Sequence, residues 1–261
     1  MSMRDTKGEA GAGEGIRRRG VWVGVVGVLL LLLSIGGVVG HRVWRESRAI
    51  AMLEGRGLDP SWVPYAPGWA RKWVAESDLP WYPKALVGLG AVDVGFSDDE
   101  LRIMRYCGWV EYLDLDDSQV SDAGLGYVTV MDRLTTLEMS RTGVTGEGLS
   151  SIAHLTGMRT LTLNGLDVDD EDLRSLEGMK GLVMLWVGGT GVTDEGVGWI
   201  AETFEGLQMI DLSNTAVTDG AVESLLRLRE LNRVRVQGSG MTREGVERLR
   251  AGKPGLDVEW P

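Results

Sequence analysis

The chain has 261 residues but only one cysteine and two histidines. Cys107 has no second thiol to join, so no internal disulfide frames the fold, and in the stretch RYCGW it reads as an inert buried thiol. His41 lies at the edge of an apolar run and His154 one residue before Leu155, a core-type position; neither has a second histidine, cysteine or serine motif to work with. The patterns H-E-x-x-H, G-x-S-x-G, C-x-x-C and G-x-x-x-x-G-K-[ST] are all missing, which leaves zinc-dependent, serine-dependent, dithiol and P-loop chemistry without their residues. The expectation is a protein without catalysis, cofactor or metal. Positive charge is also short, with 27 Lys/Arg against 38 Asp/Glu and a net charge of −11. Residues 43–261 alone hold 21 basic against 35 acidic side chains, or −14. Contact with phosphates needs a basic surface, so nucleic acid is excluded as a partner.

What is present is a repeat. The segments LDLDDSQVSDAGL, LEMSRTGVTGEGL, LTLNGLDVDDEDL, LWVGGTGVTDEGV, IDLSNTAVTDGAV and VRVQGSGMTREGV align from Leu113, Leu137, Leu161, Leu185, Ile210 and Val234, a period of 24 residues with a single 25. Self-similarity at that spacing predicts a solenoid. Each unit opens apolar, variable, apolar, the alternation of a short half-buried strand. A small hydroxyl follows three residues on (Ser118, Thr142, Thr190, Thr215, Ser239; Leu166 breaks the rule), then a core residue (Val120, Val144, Val168, Val192, Val217, Met241). Next comes a helix start at Ser121, Thr145, Asp169, Thr193, Thr218 and Thr242, side chains whose oxygen can accept from unpaired first-turn amides. Apolar residues at helical spacing complete the unit, as in Leu149, Ile152 and Leu155. One unit cannot bury its own apolar side, so neighbours must stack. Counting one period outward, Leu89 begins a degraded first unit and Val258 a closing strand, with Ser97 to Glu100 at capping-box spacing.

Leu134, Leu137, Met139, Thr142 and Val144 fill the slots of L-x-x-L-x-L-x-x-N/C-x-L, and the chain resembles the leucine-rich repeat family. The helix start Thr193-Asp194-x-Gly196-Val197 is similar to the 24-residue variety found in bacteria. It also resembles the repeat half of F-box ubiquitin-ligase adaptors, but no F-box precedes the repeats and that activity is not carried over. The resemblance implies an α/β solenoid, with parallel strands on a concave face and short helices on the convex one. It covers about two-thirds of the chain.

Before the repeats, residues 1–19 read as a disordered tail. Gly20 to Gly40 run 21 residues without a charge, enough for a membrane-spanning helix at about 1.5 Å per residue. Arg17, Arg18 and Arg19 precede it and no A-x-A site follows, so an uncleaved signal-anchor is expected rather than a cleaved signal peptide. Five Lys/Arg before the run and four after favour a cytoplasmic N-terminus, with the repeats across the membrane. Residues 41–88 read as a juxtamembrane helix and a cap in which Trp62, Trp69, Trp73 and Trp81 sit among prolines, and 89–261 as the repeat domain.

Function then rests on the strand face. The variable strand positions run Gly90, Asp114, Glu138, Thr162, Trp186, Asp211, Arg235, and the next outward column Val92, Asp116, Ser140, Asn164, Gly188, Ser213, Gln237. Strands about 4.8 Å apart would gather Asp114, Asp116 and Glu138 into one acidic patch, with Asp117 at its edge. Trp186 would stand mid-face beside Gly188 and Gly189, the setting of a binding anchor. The expected function is a membrane-anchored, non-catalytic module that binds a protein or peptide partner through Asp114, Asp116, Glu138, Trp186, Asp211 and Arg235. The alternative is an envelope structural or carbohydrate-binding protein.

Overall fold

The computed structural model describes Arg48, the strands at 59–64 and 84–90, and residues 96–108 and 110–260. The tail, the apolar run at 20–40, and Trp69, Trp73 and Trp81 lie outside the described residues, as does most of the expected cap. Among the described residues no helix is long and apolar enough to cross a membrane.

Among the described residues, nine strands form one sheet in sequence order. Strand β1 (Asp59–Pro64) pairs antiparallel with β2 (Lys84–Gly90), with a register shift between Ser61 and Trp62. From β2 onward every pairing is parallel: β3 (Tyr112–Asp114), β4 (Thr136–Glu138), β5 (Thr160–Thr162), β6 (Met184–Trp186), β7 (Met209–Asp211), β8 (Arg233–Arg235) and β9 (Asp257–Glu259). The register matches the repeat residue for residue, from Leu89 beside Leu113 through to Val234 beside Val258. The single 25-residue step is absorbed outside the strands, since Leu185 still pairs with Ile210. Strand β2 begins at Lys84, five residues ahead of Leu89, and the sheet extends before it to β1.

Among the described residues, seven α-helices return the chain between strands: α1 (Asp98–Met104), α2 (Asp122–Leu125), α3 (Gly146–Ile152), α4 (Asp170–Leu173), α5 (Asp194–Thr203), α6 (Val222–Arg227) and α7 (Arg243–Gly252). Several are a single turn, too short to hold alone, so stacking stabilises them. The central residue of each strand from β3 to β9 and the apolar positions of the helices form one continuous core, with Leu113, Leu137, Leu161, Leu185, Leu149, Ile152 and Leu225 fully buried.

Four of the five predicted hydroxyls tie the turn to its own strand, while the Ser118 hydroxyl is buried without such a bond. Thr142, Thr190, Thr215 and Ser239 donate to the carbonyls of Met139, Val187, Leu212 and Val236, three residues back. Just before them, one residue per unit takes the left-handed backbone: Asp117, Arg141, Gly165, Gly189, Asn214 and Gly238, with φ from 55 to 70°. That torsion ends the strand and swings the chain toward the helix layer.

The T-D-x-G signature is explained by contacts between units. Thr145, Thr193, Thr218 and Thr242 accept first-turn amides, as expected of helix caps. Each also donates its amide and hydroxyl to the aspartate that begins the preceding helical segment: Asp122, Asp170, Asp194 and Asp219 respectively. Ser121 is the exception as a cap. It accepts no amide but makes the same pair of bonds to Asp98. The carboxylate fits because the following unit has glycine beneath it. A Cβ at Gly124, Gly148, Gly196 or Gly245 would lie 2.1, 2.3, 2.0 or 2.1 Å from the oxygen of Asp98, Asp122, Asp170 or Asp219. The aspartate of one unit and the glycine of the next are one device.

The device lapses once. Position 146 is glycine, and the next cap is Asp169, whose own carboxylate could not donate to another. There Asp169 accepts the amides of Glu171 and Asp172, while Asp172 reaches back to the amide of Asp169. The Asp172 carboxylate occupies the space over Gly146, 1.7 Å from where a Cβ would stand.

Candidate functional site

Strand residues alternate in direction, so the first and third positions of every strand share the open face of the sheet while the second enters the core. The first-position column is Tyr112, Thr136, Thr160, Met184, Met209, Arg233, Asp257, and the third is Asp114, Glu138, Thr162, Trp186, Asp211, Arg235, Glu259.

At one end the acidic patch forms as expected. One carboxylate oxygen from each of Asp114, Asp116 and Glu138 lies within 4.8 Å of the others, and all three side chains are half-buried. Asp114 accepts the Asp116 amide at 3.1 Å and the Tyr112 hydroxyl at 3.5 Å, and Asp116 accepts the Ser140 amide at 2.6 Å. Burial, then the neighbouring negative charges, hold Glu138 above the usual carboxylate range; Asp114 is raised too, chiefly by burial. Burial together with Glu138 and Asp114 pushes the Tyr112 phenol up to about 12. Asp117 turns away from the patch, because its carboxylate takes both the Nε and Nη2 of Arg141, which holds it below its ordinary value.

The second group of expected residues also comes together. The Arg235 guanidinium sits 5.3 Å from the centre of the Trp186 ring, reaching across the intervening strand β7. Beneath it lies Asp211, only 8% exposed, which accepts the Ser213 amide at 2.9 Å and stands 3.8 Å from Arg235. Arg235 is held further by Glu259 at 2.8 Å. Asp211 is therefore a buried support under Arg235 rather than an outward contact. Gly188 is closely surrounded: a Cβ there would crowd the Ser213 carbonyl, Asn164 and Asp211 at 3.1 to 3.4 Å. Trp186 thus stands beside a flat floor. The two groups are separate, divided by β5, whose Thr160 and Thr162 are both buried.

Sequence reasoning passed over Met184 and Met209, which neighbour each other on the open face ahead of the apolar strand centre and widen the patch around Trp186. Their signal was available one residue before each repeat start, in the column that also holds Tyr112. His154 Nε2 donates to the carbonyl of Thr129 at 2.9 Å, and Cys107 is buried.

A family model described as Leucine Rich repeat matches residues 134–153. No curated protein sequence matches the chain. Among solved structures the chain is similar to an internalin from Listeria monocytogenes, at 19% identity over 60% of this chain and with a TM-score of 0.49. It is similar also to internalin C2 of the same organism, at 17% identity over 67% of this chain and with a TM-score of 0.49. The chain spans 43% of the length of the first and 81% of the second.

Proposed function

We propose that the stacked units, one of which matches a leucine-rich repeat model at residues 134–153, form a non-catalytic module that binds a protein or peptide partner on the open strand face. The observation that carries this reading is Trp186. A large ring flanked by Met184 and Met209, braced by Arg235 and standing over Gly188, offers apolar area whose shape is already fixed. Ordering costs little there when a partner arrives, as at interface anchors. Trp186→Ala should weaken partner binding by about 2 kcal/mol or more, roughly thirtyfold, with unfolding unchanged. A photo-reactive residue at position 186 should capture the partner, and one at Glu202 among the helices should not. Equal capture from both positions would remove the open face from the site.

The module is held at a membrane by Gly20–Gly40 and lies on the non-cytoplasmic side. The uncharged run and the cationic residues before it support this. A tag placed after Pro261 should be cleaved by protease once the outer barrier is opened while the cytosol stays sealed. Protection until the cytosol is breached would put the repeats inside the cell.

A further inference from the structure

We infer, resting on that reading of the open face, the chemistry of the partner. It is an extended peptide segment crossing the strands, with a lysine or arginine over Asp114, Asp116 and Glu138 and a large apolar side chain over Met184, Trp186 and Met209.

The face is charged unevenly. At the β8–β9 end each arginine is already neutralised: Arg233 by Asp257 at 2.9 Å, and Arg235 by Glu259 and Asp211. At the β3–β4 end three carboxylates crowd together, and among the described residues no lysine or arginine forms an ion pair with them. Arg141, on that side, is committed to Asp117. In the register of β2, Gly88 and Gly90 stand opposite Tyr112 and Asp114. A cation arriving there relieves a repulsion that the described residues leave in place. An anionic or uncharged segment gains nothing at that end.

Geometry fixes the spacing. From β3–β4 to β6–β7 is three strand separations, roughly 14 Å, or about four residues of extended chain. Buried Thr160 and Thr162 lie between and present no bulk, so the segment can cross without a bend. The stable pairing of the arginines at the far end gives the peptide its direction, basic residue toward β3.

The test is a displayed library of random twelve-residue peptides panned on the full chain. Enriched peptides should carry Lys or Arg about four positions from a large apolar residue. Synthetic copies should bind Trp186→Ala at least about tenfold more weakly. They should bind the near-isosteric double variant Asp114→Asn, Glu138→Gln about fivefold more weakly, with a flatter dependence on salt. Enrichment of acidic or unpatterned peptides, or of none, overturns the inference. If affinity falls with Trp186→Ala but not with the double variant, the open-face reading stands and the cationic partner is wrong. If neither variant changes affinity, both fail.

Discussion

At the scale of single residues, the carboxylates of the open face cost the fold something. Glu138 and Asp114 are shifted above their ordinary values, first by burial and then by neighbouring carboxylates: Asp114 and Asp116 act on Glu138, and Asp116 and Asp117 on Asp114. A carboxyl raised in the folded state stabilises below its unfolded pKa, and that contribution is lost as pH rises through the folded value. At neutral pH, then, these groups hold charge against the preference of the native structure. Glu138→Gln should raise the melting temperature at pH 7, and the gap over the parent should close on acidification to below about pH 4. Thermal unfolding followed by circular dichroism across that range checks it. A gap independent of pH, or a lower melting temperature at pH 7, would rule out the electrostatic explanation. Residues kept at a cost in stability are what a binding surface holds, and Asp114, Asp116 and Glu138 are the clearest instance on this face.

At the scale of the element, one unit is a strand, a left-handed turn and a helix start that must fit its neighbour. The aspartate and the glycine beneath it show why the repeat motif holds its spacing: an added methyl at Gly196 would meet the Asp170 carboxylate at 2.0 Å. The exception at Gly146 follows the same rule, since the carboxylate that fills the space comes from Asp172 on the following helix. Restoring the motif there should therefore harm the protein. Gly146→Asp would set two carboxylates in one site and should cost about 1 to 3 kcal/mol, read as a lower urea midpoint. Adding Asp169→Thr and Asp172→Gly should recover most of the loss, because a hydroxyl donor and the empty site that only glycine leaves would then meet the new aspartate. Recovery without Asp169→Thr would show that crowding alone, and not the missing donor, sets the penalty.

At the scale of the whole molecule, the core is a line of like interfaces, each unit from β3 onward touching the one before and the one after. Stability of such an array is close to a sum over neighbours. Deleting residues 161–184, one full period, should leave a folded protein with cooperative unfolding and a lower midpoint. Deleting only residues 161–172 should abolish folding, because the remaining strand and helix halves fall out of register. Circular dichroism and urea titration of both variants distinguish these outcomes. A folded half-period deletion would contradict the stacked-unit account.

The sequence by itself determined the architecture, because a period of 24 residues repeats the same local physics in each unit. The alternation at Leu113 and Leu115, the hydroxyl at Thr142 and the cap at Thr193 each describe one unit completely, and stacking follows from the apolar side that a unit cannot bury alone. The grouping of Asp114, Asp116 and Glu138 was legible too, since parallel in-register strands turn a sequence spacing into a neighbour list. Only the tertiary structure decided which side chains oppose one another across units. It turned Asp117 to Arg141, laid Arg235 over Trp186 with Asp211 buried beneath, and put Asp172 where Gly146 leaves room. Those choices depend on side-chain reach and on space between neighbouring strands and helices, and residue identities along a chain do not specify that space until the units are stacked.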